Sequence, residues 1–207
     1  KPGLGRVPAW NPSQKTERGI LAQSMSVQGL LTRSAKDLEL AMPALIMGDP
    51  HDPFHVPLPY RMAPKSNNLR VAFCKETPGF ETHPEVYKAL DKAAEALRDA
   101  GYDVQEVHLP FLQETGEIAY RALMGEVAEL MGPDIRATGS DVIQAIFAEY
   151  YCQFQPFEGN DLLHMMAKRT GFAREWSLFM QNYPLILSPF LPQPFFAPKR
   201  DEEGEAG

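Results

Sequence analysis

The sequence predicts an α/β fold in which a sheet with parallel strands is flanked by helices. Residues 69–74 place apolar side chains on both faces of a short strand, which is typical of a parallel strand covered by helices on both sides. An amphipathic helix over residues 82–101 and a shorter, more polar strand over residues 103–109 follow. Strand, helix and strand of these lengths form a βαβ unit with parallel strands, and the apolar run at residues 185–187 is predicted to join the same sheet.

The first helix is predicted to begin at Ser34. Its hydroxyl can accept a hydrogen bond from the next turn, and Asp37 suits the positive end of the helix dipole. Behind this cap, apolar residues recur three and four positions apart along one face: Leu38, Ala41, Met42, Leu45 and Ile46. We expect a bend at Pro43, because an interior proline removes one backbone hydrogen bond. The helix should end where Gly48 supplies a left-handed residue.

Four further helices follow in the sequence. The helix of the βαβ unit is predicted to begin at a second capping box, from Thr82 to Glu85, and its apolar stripe runs to Gly101. Longer amphipathic patterns predict helices over residues 113–131, 141–154 and 161–182. The pair Gly132-Pro133 is predicted to stop the first of these three helices.

Composition and charge exclude several functional classes. The chain has 207 residues, 44% of them hydrophobic, and a net charge of −7, of which the run at residues 201–205 carries four negative charges. No basic patch indicates binding to nucleic acid or to an anionic membrane, and no apolar run has the ~18 residues of a membrane span. Cys74 and Cys152 lie far apart in apolar surroundings. They predict two buried free thiols in a reducing compartment, and therefore a cytoplasmic protein.

Two groups of side chains match the spacing of a catalytic or a metal site. Ser34 and Lys36 resemble a serine–lysine pair, but residues two apart on a helix point to different faces and Ser34 already has a capping role. His51 and His55, with neighbouring aspartates, are spaced like metal ligands, but they lie in a proline-rich loop with no helix to align the rings. We therefore predict neither a metal site nor a catalytic residue in these groups.

Five short segments occur in a fixed order along the chain. They are Lys-Pro-x-x-Gly-Arg-Val-Pro at 1–8, Ser-Val-Gln-Gly-Leu-Leu-Thr-Arg-Ser at 26–34, Gly-Asp-Pro-x-Asp-Pro at 48–53, Trp-Ser-Leu-Phe at 176–179 and Leu-Ile-Leu-Ser-Pro at 185–189. Together they resemble the amidase signature family of serine hydrolases, over the whole chain. The resemblance is nearest to bacterial amidases that release ammonia from small carboxamides. It implies an α/β/α fold around a mixed sheet.

The resemblance also implies a mechanism that uses a lysine, a bridging serine in a cis peptide and a nucleophilic serine. In the family these residues lie in a glycine- and serine-rich signature just before the Lys-Pro that opens this chain, and the sequence has no Gly-Gly-Ser-Ser run. We therefore predict that this is an internal segment of an amidase, that it contains no catalytic residue, and that it is inactive alone. Neither a metal nor a cofactor is implied.

The resemblance implies one partial amidase domain with four parts. They are a signature-adjacent segment (1–53), a βαβ unit (69–109), a variable helical region (113–182), and a return strand with a proline-rich segment (185–198), within residues 1–207. The helical region lies near the mouth of the amide pocket in the family, where methionine and aromatic side chains suit an apolar or aryl acyl group. The predicted substrate-binding residues are Met124, Phe147, Tyr151, Trp176 and Phe179. Core packing is the competing interpretation of this stripe.

The parent protein is therefore expected to be a cytoplasmic amidase that hydrolyses a small-molecule carboxamide to a carboxylate and ammonia. Two alternatives stay open: a glutamine amidotransferase subunit of the same family, and a catalytically dead domain that binds or scaffolds. No nucleic-acid or membrane partner is expected. A slice of a single sheet should leave an apolar edge exposed, so self-association through that edge, or a homodimer, is predicted.

Overall fold

The computed structural model describes residues 2–13, 17–60, 68–197 and 199, so the acidic run at 201–205 lies outside the described residues. The chain divides into two compact units, Lys1–Pro64 and Lys65–Gly207. In the first unit the described residues form two helices, α1 (Ile20–Met25) and α2 (Ala35–Leu45). The sequence patterns predicted α2 but not the short α1.

The second unit contains strands at its beginning and end and a run of helices between them. Its elements are β1 (Arg70–Phe73), α3 (Pro84–Asp99), β2 (Asp103–Glu106), α4 (Leu112–Leu130), α5 (Gly132–Thr138), α6 (Asp141–Gln153), α7 (Asp161–Asn182) and β3 (Leu185–Leu187). The predicted bounds of α4, α6 and α7 agree with the structure to within one residue at each end. None of the described helices combines the length and apolar content needed to cross a bilayer.

The short helix α5 was missed in the sequence. The pair Gly132-Pro133 was expected to end helical structure, and it instead opens the next helix, with the proline in the first turn. Proline is favoured at that position because its missing N–H would have no helical partner there. The same residues therefore separate α4 from α5 and begin α5.

The described strands form a parallel sheet in the order β2-β1-β3. Val71 in the central strand pairs with Val104 on one side and with Leu185 on the other. This arrangement confirms both the parallel βαβ unit and the entry of residues 185–187 into the same sheet. The predicted α/β class, a sheet with flanking helices, is also confirmed.

The core of the second unit lies on both faces of β1, as the apolar character of that strand predicted. On one face, which we call the α7-side cluster, the buried residues are Ala72, Cys74 and Leu109, packed against Val107, Leu112, Trp176, Phe179 and Tyr183. On the other face the buried residues are Phe73, Leu90 and Ala94, packed against Val86, Val104 and Leu187. Successive strand residues point to opposite faces, so one central strand organises both layers.

The N-cap of α2 is confirmed. The Ser34 hydroxyl accepts a hydrogen bond of 3.2 Å from the backbone N–H of Asp37, and the helix continues through Pro43. The predicted left-handed stop at Gly48 is wrong, because Gly48 is not among the described residues with positive φ. The helix ends instead at Leu45, and the N–H of the following residue, Ile46, still donates to the carbonyl of Met42.

The predicted capping residue of α3 is also wrong. His83 caps the helix, with its ring Nδ1 accepting a 3.2 Å hydrogen bond from the backbone N–H of Glu85. Thr82 is buried, and its hydroxyl is hydrogen-bonded to the hydroxyl of Thr77, so it is not available to the helix. The helix ends as expected before Gly101, which has a φ of +90°.

The two cysteines differ in exposure. Cys74 is 1% exposed at the end of β1, whereas Cys152 is exposed on α6, so the prediction of two buried thiols holds only for Cys74. Both are free cysteines. Helix α6 has no fully buried residue, which explains why an apolar neighbourhood in sequence did not bury the Cys152 thiol.

In the first unit, the chain near Gly5 contacts the loop that follows α2. The carbonyl of Gly5 accepts a 2.8 Å hydrogen bond from the N–H of Val56, and Arg6 Nη1 donates to the carbonyl of Leu58 at 2.8 Å. Gly5 has a φ of +74°, and a Cβ there would lie 2.6 Å from the carbonyl oxygen of Phe54. Only glycine satisfies both constraints.

Candidate substrate-binding groove

A groove lies where the three parallel strands end. Because the strands are parallel, their carboxyl ends meet at one edge of the sheet, which is the usual place for ligands in open α/β sheets. Residues 76–80 follow β1, Leu109 follows β2, and residues 188–192 follow β3. Together with one face of α4 and Phe154, they line a cavity of about 560 Å³. This volume is within the range of small-molecule sites.

The walls of the groove are mainly apolar and aromatic. Leu109, Leu112 and Leu191 line it together with four aromatic residues, Phe80, Tyr120, Phe154 and Phe190. The Phe80 side chain is 71% exposed and that of Phe190 is 96% exposed, so each retains apolar surface that a ligand can cover. Walls of this composition suit the alkyl or aryl portion of a ligand.

The charged residues in the groove lining are both acidic. Glu76 comes from the loop after β1 and Glu117 from α4. Glu76 Oε1 is hydrogen-bonded to Nδ1 of the exposed His108, and the thiol of Cys74 lies 4.0 Å from Glu76 Oε2. Glu117 Oε1 accepts a 2.9 Å hydrogen bond from Nε2 of Gln113, one turn earlier on the same helix. The groove therefore combines apolar walls with two carboxylates that can accept hydrogen bonds.

The five predicted substrate-binding residues lie elsewhere in the second unit. Met124 is buried on α4, and the rings of Phe147 and Tyr151 lie 6.0 Å apart on α6. Trp176 and Phe179 meet edge to face at 5.9 Å on α7 and pack against the α7-side cluster. Leu109 of that cluster and Leu112, which packs against it, also line the groove, so this pair has a contact path to the groove. The substrate-binding role of all five stays a prediction.

The hydroxyl of Tyr151 is unusual among the described polar groups. It is buried and has no hydrogen-bond partner in the described part of the chain. Burial raises the pKa of Tyr151, because the charged phenolate is poorly solvated there, and the charge of Arg136 opposes this shift. Tyr151 is therefore held as the neutral phenol well into the alkaline range.

Sequence reasoning missed the residues that line the groove. The segments 76–80 and 188–192 come directly after predicted parallel strands, so the rule that ligands bind at the carboxyl edge could have identified them. Phe154 could not have been found in this way. It follows α6, and its ring reaches the groove by stacking on Tyr120 of α4, a tertiary contact that local sequence does not encode.

The first unit has a separate, more polar cavity of about 420 Å³. Inside it the rings of Trp10 and His51 stack, with centroids 4.2 Å apart and planes 16° from parallel. Asp52 Oδ2 accepts a 2.7 Å hydrogen bond from the N–H of Ala9, which joins the two sides of the cavity. Its polar groups are thus largely used to hold the unit together.

The histidines spaced like metal ligands have separate partners. His51 donates its backbone N–H to Asp49 Oδ1 and its ring Nδ1 lies 2.8 Å from the same oxygen, and these hydrogen bonds lower the pKa of Asp49. His55 Nε2 lies 3.2 Å from the carbonyl oxygen of Ile46. Within residues 2–13, 17–60, 68–197 and 199, no three histidine, cysteine or acidic side chains are grouped as a metal ion would require.

Several serine and lysine side chains have structural roles. Ser34 and Ser140 cap α2 and α6, accepting hydrogen bonds of 3.2 and 3.3 Å from backbone N–H groups. Lys75 forms an ion pair of 2.7 Å with Asp91, and the hydrogen bond that its ammonium donates to the Asp91 carboxylate raises the pKa of Lys75. A lysine that acts as a general base must be neutral, so this shift is in the wrong direction for such a role.

Two solved structures of allophanate hydrolase from Kluyveromyces lactis have a similar fold. Their TM-scores are 0.59 and 0.58, with 20% and 22% sequence identity. The matches cover 81% and 82% of this chain and 28% of each allophanate hydrolase chain. At this identity the likeness shows the fold alone.

Sequence relatives extend over nearly the whole chain. Indoleacetamide hydrolase of Bradyrhizobium japonicum is 29% identical over 201 residues, and that of Bradyrhizobium diazoefficiens is 30% identical over 201 residues; each match covers 97% of this chain. A glutamyl-tRNA(Gln) amidotransferase subunit of Deinococcus radiodurans is 27% identical over 224 residues, covering 95%. The matches cover 43%, 38% and 45% of these relatives, so the chain spans about two fifths of their length.

The family comparison agrees with the motifs read from the sequence. The model of the amidase family matches residues 1–206, which is almost the entire chain. The resemblance inferred from the ordered segments is thereby confirmed, and the chain belongs to the amidase family.

Proposed function

We propose that this chain forms the acyl-binding part of an amidase, which hydrolyses an apolar carboxamide to a carboxylate and ammonia. The observation that carries the proposal is the apolar groove at the carboxyl edge of the parallel sheet, in a chain of the amidase family. Burial of the acyl portion there would hold the amide carbon in a fixed position relative to a nucleophile.

We further propose that the catalytic serines and lysine are contributed by residues outside 1–207. In that scheme a desolvated, neutral lysine takes a proton from the bridging serine, which deprotonates the nucleophilic serine. The nucleophile attacks the amide carbon, ammonia leaves with a proton, and water hydrolyses the acyl-enzyme. Ser34 and Ser140 serve as helix caps, and Lys75 is held in an ion pair. These structural roles support the proposal that the catalytic residues lie outside residues 1–207.

The preferred substrate in this proposal is an aryl-bearing primary amide. Aromatic walls at Tyr120 and Phe154 favour a flat apolar group, and two of the relatives are named for indoleacetamide. In the same scheme Trp176 and Phe179 influence substrate binding indirectly, because they pack against the α7-side cluster. Met124, Phe147 and Tyr151 would contribute through the packing of α4 and α6.

A glutamine amidotransferase subunit is the second candidate, because one relative is named as a component of such an amidotransferase. Glutamine carries both an α-ammonium, which Glu76 and Glu117 would attract, and an α-carboxylate, which they would repel, so these two residues do not exclude glutamine from the groove. Ammonia release from glutamine that increases on addition of a partner protein would favour this candidate over the first. A reading frame without the glycine- and serine-rich signature would favour the catalytically dead scaffold instead.

Self-association is a further part of the proposal. Among the described strands β3 lies at one edge, and its Leu185 and Ile186 are 38% and 37% exposed. An exposed apolar edge strand favours pairing with another chain. Sedimentation of residues 1–207 should show dimers or larger species, and a stable monomer would contradict this. The two free cysteines support placement in a reducing compartment such as the cytoplasm.

The direct test compares residues 1–207 with the product of the complete reading frame. We expect the complete protein to release ammonia from phenylacetamide and residues 1–207 to release none. Ammonia release by residues 1–207 that persists in independently purified preparations would refute the proposal that the catalytic residues lie outside this segment. An inactive complete protein that contains the signature would refute the amidase assignment.

A further inference from the structure

We infer that, among amides with an aryl acyl group, the groove favours those whose aryl ring also carries a hydrogen-bond donor or a positive charge, and that it disfavours those whose ring carries an anionic group. The inference rests on the proposed function, because it names the substrate class of the same groove. It is carried by the two carboxylates, Glu76 and Glu117, that stand in otherwise apolar walls.

Glu76 is held in place from two directions. The ring of His108 bonds to one carboxylate oxygen, and the buried thiol of Cys74 lies against the other at 4.0 Å. Cys74 immediately follows β1, so its contact anchors Glu76 to the most buried strand of the sheet. A carboxylate offers about four lone-pair positions, and these two contacts leave acceptor capacity for a ligand.

Glu117 approaches the groove from a different element. It lies on α4, where Gln113 donates to its Oε1, and Gly116 and Tyr120 of the same helix also line the groove. At Gly116 a Cβ would meet no atom within 4 Å in the described part of the chain beyond its own helix backbone and sequence neighbours, so the lining beside Glu117 is open. A ligand in the groove is therefore bounded by carboxylates from the β1 loop and from α4.

As a physical consequence, the groove should distinguish ligands by their charge and by their hydrogen-bond donors. A ligand N–H or ammonium that meets a carboxylate gains a charge-assisted hydrogen bond, which is about twice as strong as a neutral one. A ligand carboxylate instead meets two like charges, and their repulsion is unfavourable even though both belong to exposed residues. A difference of roughly ten-fold or more in kcat/KM between cationic and anionic analogues is expected.

The test uses the complete protein and three phenylacetamides that differ only in the substituent at the 4-position, which is an aminomethyl, methyl or carboxy group. Both kcat/KM for ammonia release and the dissociation constant from calorimetry are measured for each compound. We expect the order aminomethyl, methyl, carboxy in both quantities, with about ten-fold or more between the extremes. Glu117→Gln and Glu76→Gln should each reduce that ratio several-fold.

Glu95→Gln is the control, because Glu95 is an exposed residue of α3 outside the groove and the substitution removes the same charge. If Glu95→Gln reduces the ratio as much as Glu117→Gln, net charge explains the preference and the inference fails. Glu76→Gln removes a bonded group, so thermal unfolding is recorded alongside, and Glu117→Gln decides the matter if Glu76→Gln does not fold.

The charge preference of the groove and the proposed function can be refuted separately. Hydrolysis of all three amides at similar kcat/KM would overturn the inference and leave the proposed function standing. Binding in the expected order without any hydrolysis would support the charge preference of the groove and overturn the proposed function. Equal binding without hydrolysis would overturn both.

Discussion

The rings of Tyr120 and Phe154 stack with centroids 4.9 Å apart and planes 26° from parallel. Tyr120 belongs to α4, whereas Phe154 is the residue at which α6 ends. Both line the groove, so one of its walls exists only because α4 and α6 pack together. The helical region between the strands therefore helps to shape the candidate site as well as to cover the sheet.

This contact leads to the first prediction. Tyr120→Ala removes one face of the stack, so we expect the free energy of unfolding to fall by about 0.5–1.5 kcal/mol and the KM for phenylacetamide to rise. Urea denaturation and steady-state kinetics of the complete protein measure the two effects. Tyr87→Ala on α3, outside the groove, is the matched control and should leave KM unchanged; an equal rise in both variants would contradict the assignment of this wall.

The second prediction concerns the centre of the sheet. Phe73 is 2% exposed in β1 and packs against Leu90 and Ala94 of α3. Phe73→Ala should lower the free energy of unfolding by roughly 3–5 kcal/mol, since it removes a buried ring and leaves a cavity. Phe195 is fully exposed, and Phe195→Ala should change stability by less than about 0.5 kcal/mol. Similar losses in the two variants would contradict the two-layer core.

The third prediction follows from the buried hydroxyl of Tyr151. Its pKa is raised by burial, so the folded protein holds this proton at a pH where the unfolded chain, with the ordinary tyrosine pKa of about 10, releases it. The contribution of this group to the free energy of unfolding is fully present below the unfolded-state pKa. It is lost as pH rises through the folded-state pKa. Spectrophotometric titration should show one tyrosine ionising later than the others.

The Tyr151→Phe variant tests the same group independently. Because the hydroxyl has no partner in the described part of the chain, we expect its removal to leave stability unchanged or to increase it. The late-titrating tyrosine should disappear from the spectrum of this variant. A loss of more than about 1 kcal/mol would show that the hydroxyl makes a stabilising hydrogen bond.

Local sequence predicted the features that local physics determines. The cap at Ser34, the bounds of α7 and the parallel βαβ unit depend on residues close together in the chain, and all three are as expected. His83 replaced Thr82 as a cap because Thr82 is hydrogen-bonded to Thr77, a contact that spacing alone does not reveal.

The groove shows where sequence reasoning ends. An aromatic residue such as Phe154 has the same character whether it lines a cavity or fills a core, and only the packing of α4 against α6 decides which. The stripe of Trp176 and Phe179 was predicted to bind substrate, and in the structure the same two rings pack against the α7-side cluster. Hydrophobic periodicity identifies the buried face of a helix and does not separate these roles.

The central claim is that the groove at the carboxyl edge of the sheet holds the acyl group. Gly116 lines the groove on α4 and Gly171 lies on α7 outside it. Beyond the backbone of its own helix and its sequence neighbours, a Cβ at either position would meet no described atom within 4 Å. Leucine is a better helix former than glycine, so both Gly116→Leu and Gly171→Leu should fold at least as stably as the parent protein.

The most direct measurement is kcat/KM for phenylacetamide in these two variants of the complete protein. We expect Gly116→Leu to lower it by roughly ten-fold or more, because the new side chain occupies the groove, and Gly171→Leu to leave it unchanged. Parent-like kcat/KM in a folded Gly116→Leu variant would contradict the claim that the acyl group binds there.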